Sequence, residues 1–134
     1  MSIKEIFEKY NTIAVIGMST NPSKPSNNVP MFIKSQGYNI IPINPTAQEI
    51  GGMKCYQNLE DIEDKIEVLN VFRPSEACLP IIQSAIERRK MMGDIDVIWL
   101  QEGIFSEEGK KLAEENGIIF IQDMCMLKEY NRYY

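Results

Sequence analysis

Thr12-Ile-Ala-Val-Ile-Gly-Met-Ser-Thr-Asn-Pro-Ser-Lys-Pro-Ser26 decides how this chain is read. Residues 13–16 form an unbroken apolar run rich in β-branched side chains, the composition of a strand buried on both faces. Gly17 ends the run and a polar loop with Pro22 and Pro25 follows. Val29, Phe32 and Ile33 then recur at helical spacing. Strand, glycine turn, helix is the order in which an α/β domain turns backbone N–H groups toward a phosphate. Taken alone, the stretch also reads as a plain tight turn and a linker.

Working outward, the same alternation continues. Before the stretch, Ser2 and Glu5 form a capping-box pair ahead of Ile3, Ile6, Phe7 and Tyr10, which predicts a short first helix. After it, Ser26 is the expected cap of a second helix that carries Pro30 in its first turns and closes at Gly37. Strands are expected at 38–44, 68–72, 95–100 and 118–121, with a short edge strand at 53–56 and a loop at 46–52. Ser75 is the expected cap of a helix with Leu79, Ile82, Ala85 and Ile86 on its apolar stripe. Ser106 is the expected cap of a polar helix closed by Gly117. Residues 123–134 read as a tail with one helical turn at 126–129. Apolar strands that alternate with helices predict an α/β fold: a mostly parallel sheet of five to six strands with helices on both faces, in one domain spanning 1–134.

Composition removes whole classes of chemistry. The 134 residues contain no histidine, which excludes Ser-His-Asp and Cys-His catalysis and His-ligated metals. Cys55, Cys78 and Cys125 are odd in number and far apart, so neither a zinc site nor a disulfide framework is expected, and reduced thiols in a cytoplasm fit better. A net charge of −5 disfavours a nucleic-acid partner. No secretory segment or membrane span is expected.

In a parallel sheet the ligand site lies at the carboxyl ends of the strands. Gly17 to Lys24, Asn44-Pro45, Phe72-Arg73-Pro74, Gln101-Glu-Gly103 and Asp123 gather there. The NAD fingerprint is missing: no second or third glycine follows Gly17 before Gly37, and the second strand ends in Asn44-Pro45 where an acid would bind the ribose hydroxyls. Such a site favours a ligand more anionic than NAD.

Gly17-x-Ser19, Pro22, Lys24-Pro25-Ser26, Asn44-Pro45, Val71-Phe72-Arg73-Pro-Ser-Glu76, Trp99-Leu-Gln-x-Gly103 and Asp123-x-Cys125 together resemble the small single-domain CoA-binding protein family. That family is related to the CoA-binding domain of the succinyl-CoA synthetase α subunit and of ADP-forming acyl-CoA synthetases. The resemblance runs from about Ile6 to Glu129. It implies a Rossmann-like, three-layer αβα fold with coenzyme A or an acyl-CoA across the strand ends. Gly17, Met18 and Ser19 would hold the pyrophosphate through backbone N–H groups, with the Ser19 hydroxyl as a further donor. Lys24, in the Lys24-Pro25-Ser26 motif, would neutralise a phosphate. Asn44 and Pro45 would line the adenosine or pantetheine path, and Phe72 and Arg73 would flank the ligand. Two positions depart from many relatives: Thr46 stands where they carry a basic residue after Asn-Pro, and Met124 stands between Asp123 and Cys125 where they carry arginine.

Other readings of these residues stay open on sequence. Arg73 also suits an ion pair with Glu76 or Asp123, Asn44 an Asx turn, Trp99 the core, and Cys125 a bystander thiol. The function expected is binding of CoA without catalysis, in the cytoplasm, with no nucleic-acid or membrane partner. The alternatives are an enzyme using Asp123 or Glu102 as base with Cys125 as nucleophile, and an interaction module with a vestigial nucleotide site.

Overall fold

The computed structural model describes all 134 residues. Five parallel strands form the sheet: β1 (Thr12–Ile16), β2 (Asn39–Ile43), β5 (Val68–Val71), β6 (Val97–Leu100) and β7 (Ile119–Ile121), ordered β2-β1-β5-β6-β7. Strand order reverses between β1 and β5, which makes the gap at their carboxyl ends the topological switch point.

Successive side chains of each strand feed two different cores, which is why the runs show no alternation in the sequence. Ala14, Ile41, Leu69, Val71, Ile98 and Leu100 face α3 (Cys78–Met92) and α4 (Glu107–Glu115). Ile13, Val15, Ile40, Val68, Val97 and Trp99 face α1 (Ile3–Lys9), α2 (Pro25–Ser35) and α5 (Met126–Tyr133). The fold is therefore three-layered αβα, as expected. Trp99 is fully buried and donates its indole N–H to the Met124 carbonyl at 2.8 Å. Beside it, the Tyr38 hydroxyl donates to the Phe7 carbonyl at 2.8 Å, and burial pushes the phenol up to about 12, so it stays a donor at neutral pH.

The expected edge strand takes another form. β3 (Glu49–Ile50) and β4 (Met53–Lys54) pair antiparallel with each other across Gly51-Gly52, both at positive φ, as a tight hairpin turn requires. The sixth strand of the main sheet shrinks to Tyr56, whose N–H donates to Pro42 and whose carbonyl accepts from Asn44, each at 2.9 Å.

Three helix starts differ from expectation. Lys24, not Ser26, caps α2, because Pro25 suits the first helical position and the Lys24 carbonyl accepts from both Asn27 and Asn28. Ser75 opens a 3₁₀ turn, Ser75–Ala77, rather than capping α3; its hydroxyl accepts from the Phe105 N–H at 3.0 Å. The α-helical stretch begins at Cys78, which places Pro80 in the first turn, where an N–H has no helical partner. The tail is a full helix, α5, whose first N–H (Met126) is taken by the Gln101 side chain at 3.1 Å. The Ser2–Glu5 capping box and the Ser106 cap form as expected.

Arg88 of α3 is the one deeply buried cation. It pairs with Asp94 at 3.0 Å and donates to the carbonyls of Leu59, Ile62 and Asp64, while Asp94 also accepts from the Ile66 N–H. A buried pair satisfied on every side ties the segment before β5 to the end of α3. Arg88→Met strands Asp94 without its partner and is expected to cost about 3–5 kcal/mol of stability, read as a lower urea midpoint.

Candidate functional site

Gly17 leaves β1 with φ +82°, a conformation that disfavours any side chain. A Cβ there would also overlap the Phe72 carbonyl oxygen at the end of β5. The glycine is thus first a fold requirement: it lets the loop after β1 cross the end of its neighbour.

Of the expected N–H cradle, two members are already engaged. Gly17 N–H donates to the Ile43 carbonyl and Ser19 N–H to the Ser26 carbonyl, each at 3.1 Å. The second bond has a cause inside α2. Pro30 has no N–H to offer the carbonyl four residues before it, Ser26, so that acceptor is open to Ser19. The Asn27 side chain then holds the Ser19 carbonyl at 2.7 Å. The Met18 and Ser26 N–H groups take no partner within the chain, and both residues line the same cleft. Met18 contributes only its backbone, because its side chain is fully buried in the core.

Asn44 serves as a clamp. Its Nδ2 donates to the Met18 carbonyl at 2.9 Å, and its Oδ1 accepts from Thr46 N–H, Thr46 Oγ1 and Ala47 N–H at 2.9–3.1 Å. The Asx turn is real, and it also fixes the loop after β1.

Two adjoining clefts open at the switch point. One, about 580 Å³, is lined by Gly17, Met18, Ser19, Asn44, Pro45 and Thr46 among others. The second, about 350 Å³, includes Pro25, Phe72, Pro74 and Ile104. Lys24, Ser26 and Arg73 line both. All ten residues singled out on sequence therefore come together here. Lys24 and Arg73 are exposed and neither forms an ion pair, so Arg73 is bound to neither Glu76 nor Asp123. No carboxylate lines either cleft, in a chain with 19 Asp and Glu. A third groove, about 520 Å³, runs along α3 beside Glu60, Glu87 and Met91; no strand-end residue lines it.

The residues of the enzymatic alternative are occupied elsewhere. Asp123 accepts from Gly103 N–H at 2.7 Å, Glu102 pairs with Lys128 at 2.8 Å, and Cys125 sits half-buried at the start of α5. None of the three lines either strand-end cleft. The sequence reading missed Gln57 as a lining residue and Pro30 as the source of the loop's anchor; Thr46, noted there as a departure from relatives, lines the cleft too.

A cation-bearing, acid-free cleft at the switch point of a parallel sheet is the architecture of Rossmann-like nucleotide-binding domains. Comparison with known proteins narrows this: the family model described as CoA binding domain matches residues 11–131, and the chain belongs to that family. It is 36% identical over 124 residues to the uncharacterized protein YneT of Bacillus subtilis, covering 92% of this chain and 88% of that one. It is 32% identical over 105 residues to an ADP-forming acetate–CoA ligase II of Archaeoglobus fulgidus, covering 77% of this chain but only 15% of the ligase. A solved structure from Thermus thermophilus, cell-free ID.343, superposes with a TM-score of 0.90 at 32% identity over the full length of both chains.

Gly17→Ala is expected to lower stability by more than about 1 kcal/mol, visible as a reduced melting temperature before any ligand is added. Burial pushes the Cys55 and Cys78 thiols up. At pH 8 iodoacetamide is accordingly expected to modify Cys125 alone in the folded protein and all three thiols in urea, as read by mass spectrometry.

Proposed function

We propose that this chain binds coenzyme A or an acyl-CoA across the carboxyl ends of its strands and performs no chemistry on it. The observation that carries this reading is the convergence of Lys24, Arg73 and the unpartnered Met18 and Ser26 N–H groups on a cleft without a carboxylate. In a chain of net charge −5, such a local reversal of sign suits a polyanion. A diphosphate would accept from the two N–H groups at the start of α2 and after β1, where the helix dipole adds to their pull. Lys24 and Arg73 would neutralise it from the shared lip of the two clefts. Bound there, the cofactor would carry an acyl group as a thioester. The neighbouring cleft, floored by Phe72, Pro74 and Ile104, offers an apolar path beyond the diphosphate.

Family membership supports the same ligand, as does the match to a ligase named for CoA chemistry. Binding without catalysis is favoured by the lack of histidine and by the engagement of Asp123 and Glu102 away from the clefts. Three free thiols suit a reducing cytoplasm, and no helix is long and apolar enough to cross a membrane.

Calorimetric titration of the ligand-stripped protein in reducing buffer tests the reading. Saturable binding of CoA with none of NAD is expected. Lys24→Ala should weaken CoA binding about tenfold with an unchanged melting temperature, since the side chain is exposed and unpaired. Silence toward CoA would sink the proposal.

A further inference from the structure

In sheets of this kind the ribose of a bound nucleotide lies beside the end of the second strand. An acid there takes the hydroxyls of a bare ribose, and an arginine takes a ribose phosphate. That end here is Asn44-Pro45-Thr46, which shares the larger cleft with Gln57. Its polar groups are turned inward. The Thr46 hydroxyl and N–H both go to Asn44 Oδ1, and Asn44 Nδ2 goes to the Met18 carbonyl. No charged side chain is contributed by this stretch, and both cations of the cleft belong to the phosphate lip, on the loop before α2 and the end of β5. Lys54, on the neighbouring hairpin, lays its ammonium over the Tyr56 ring at 4.9 Å and does not line the cleft.

The geometry points to a site indifferent to a phosphate on the adenosine ribose: the cleft grips the diphosphate and gives a 3′-phosphate no charged partner, so 3′-dephospho-CoA binds as tightly as CoA. This rests on the CoA reading above and adds the ligand class that the site accepts. Missing partners decide this. At this exposed end of the cleft a 3′-phosphate meets neither a cation to hold it nor a carboxylate to repel it and keeps its water, so it adds little to affinity in either direction. Thr46 is the position that sets this indifference, being exposed, neutral and at the ribose end of the cleft.

The test is calorimetric titration of the ligand-stripped protein with CoA and with 3′-dephospho-CoA at matched ionic strength. Dissociation constants within about threefold of each other are expected. Thr46→Lys should tighten CoA about tenfold while leaving 3′-dephospho-CoA within about threefold, because one charge-assisted contact is worth about that much. A wild-type preference beyond about threefold in either direction overturns the inference and leaves the CoA reading standing. A Thr46→Lys protein that binds the two ligands alike takes Thr46 out of the ribose end and overturns the assignment. Binding of neither ligand overturns the inference together with the reading beneath it.

Discussion

The passage of the chain over the end of β5 at Gly17 is the constraint on which the site depends. With no Cβ and a positive φ, the backbone turns directly across the Phe72 carbonyl. That crossing brings the loop after β1 between the ends of β2 and β5. Asn44 then reaches the Met18 carbonyl from one side while Arg73 flanks Gly17 from the other. A side chain at position 17 would force these strand ends apart, and the two clefts would lose their common lip. The glycine acts through the fold, by setting where the N–H groups of its neighbours point.

Division of labour within the loop follows from simple accounting of donors. A backbone N–H can be taken by the fold or stay open, and here the two states are split between adjacent residues. Gly17 and Ser19 bond inward and make the loop rigid. Met18, between them, buries its side chain and leaves its N–H open. Asn44 likewise commits its side-chain amide to holding the loop. Rigid positioning of a few open donors limits the ordering cost of binding, which is how preorganised sites gain affinity.

Much of this was legible in the sequence because α/β folds write their periodicity plainly. Residues 13–16, 40–43 and 97–100 are apolar throughout, 68–71 is interrupted only by Asn70, and each is followed by glycine, proline or polar residues at the strand end. The resemblance to CoA-binding proteins rested on those strand ends, and the ten residues it singled out share one region. What was illegible depends on partners distant in sequence. α5 looked like a tail because its cap is Gln101, from the end of β6. Ser75 looked like a helix cap because nothing nearby shows that Phe105 will claim its hydroxyl. The Arg88–Asp94 pair carries no sequence signal of its own, because the carbonyls that receive the guanidinium lie 24–29 residues upstream. Local pattern fixes elements, while long-range hydrogen bonds fix their ends.

Pro30 carries one last consequence. A proline inside a helix is commonly regarded as a defect to be engineered away. Here its missing N–H frees the Ser26 carbonyl for Ser19, so the imperfection in α2 is what fastens the loop. Restoring an ordinary residue would perfect the helix and introduce a rival for that acceptor. Helical regularity and loop order are thus in competition for a single oxygen atom. A variant of this protein optimised for helix propensity would gain rigidity where none is needed and lose it at the mouth of the cleft.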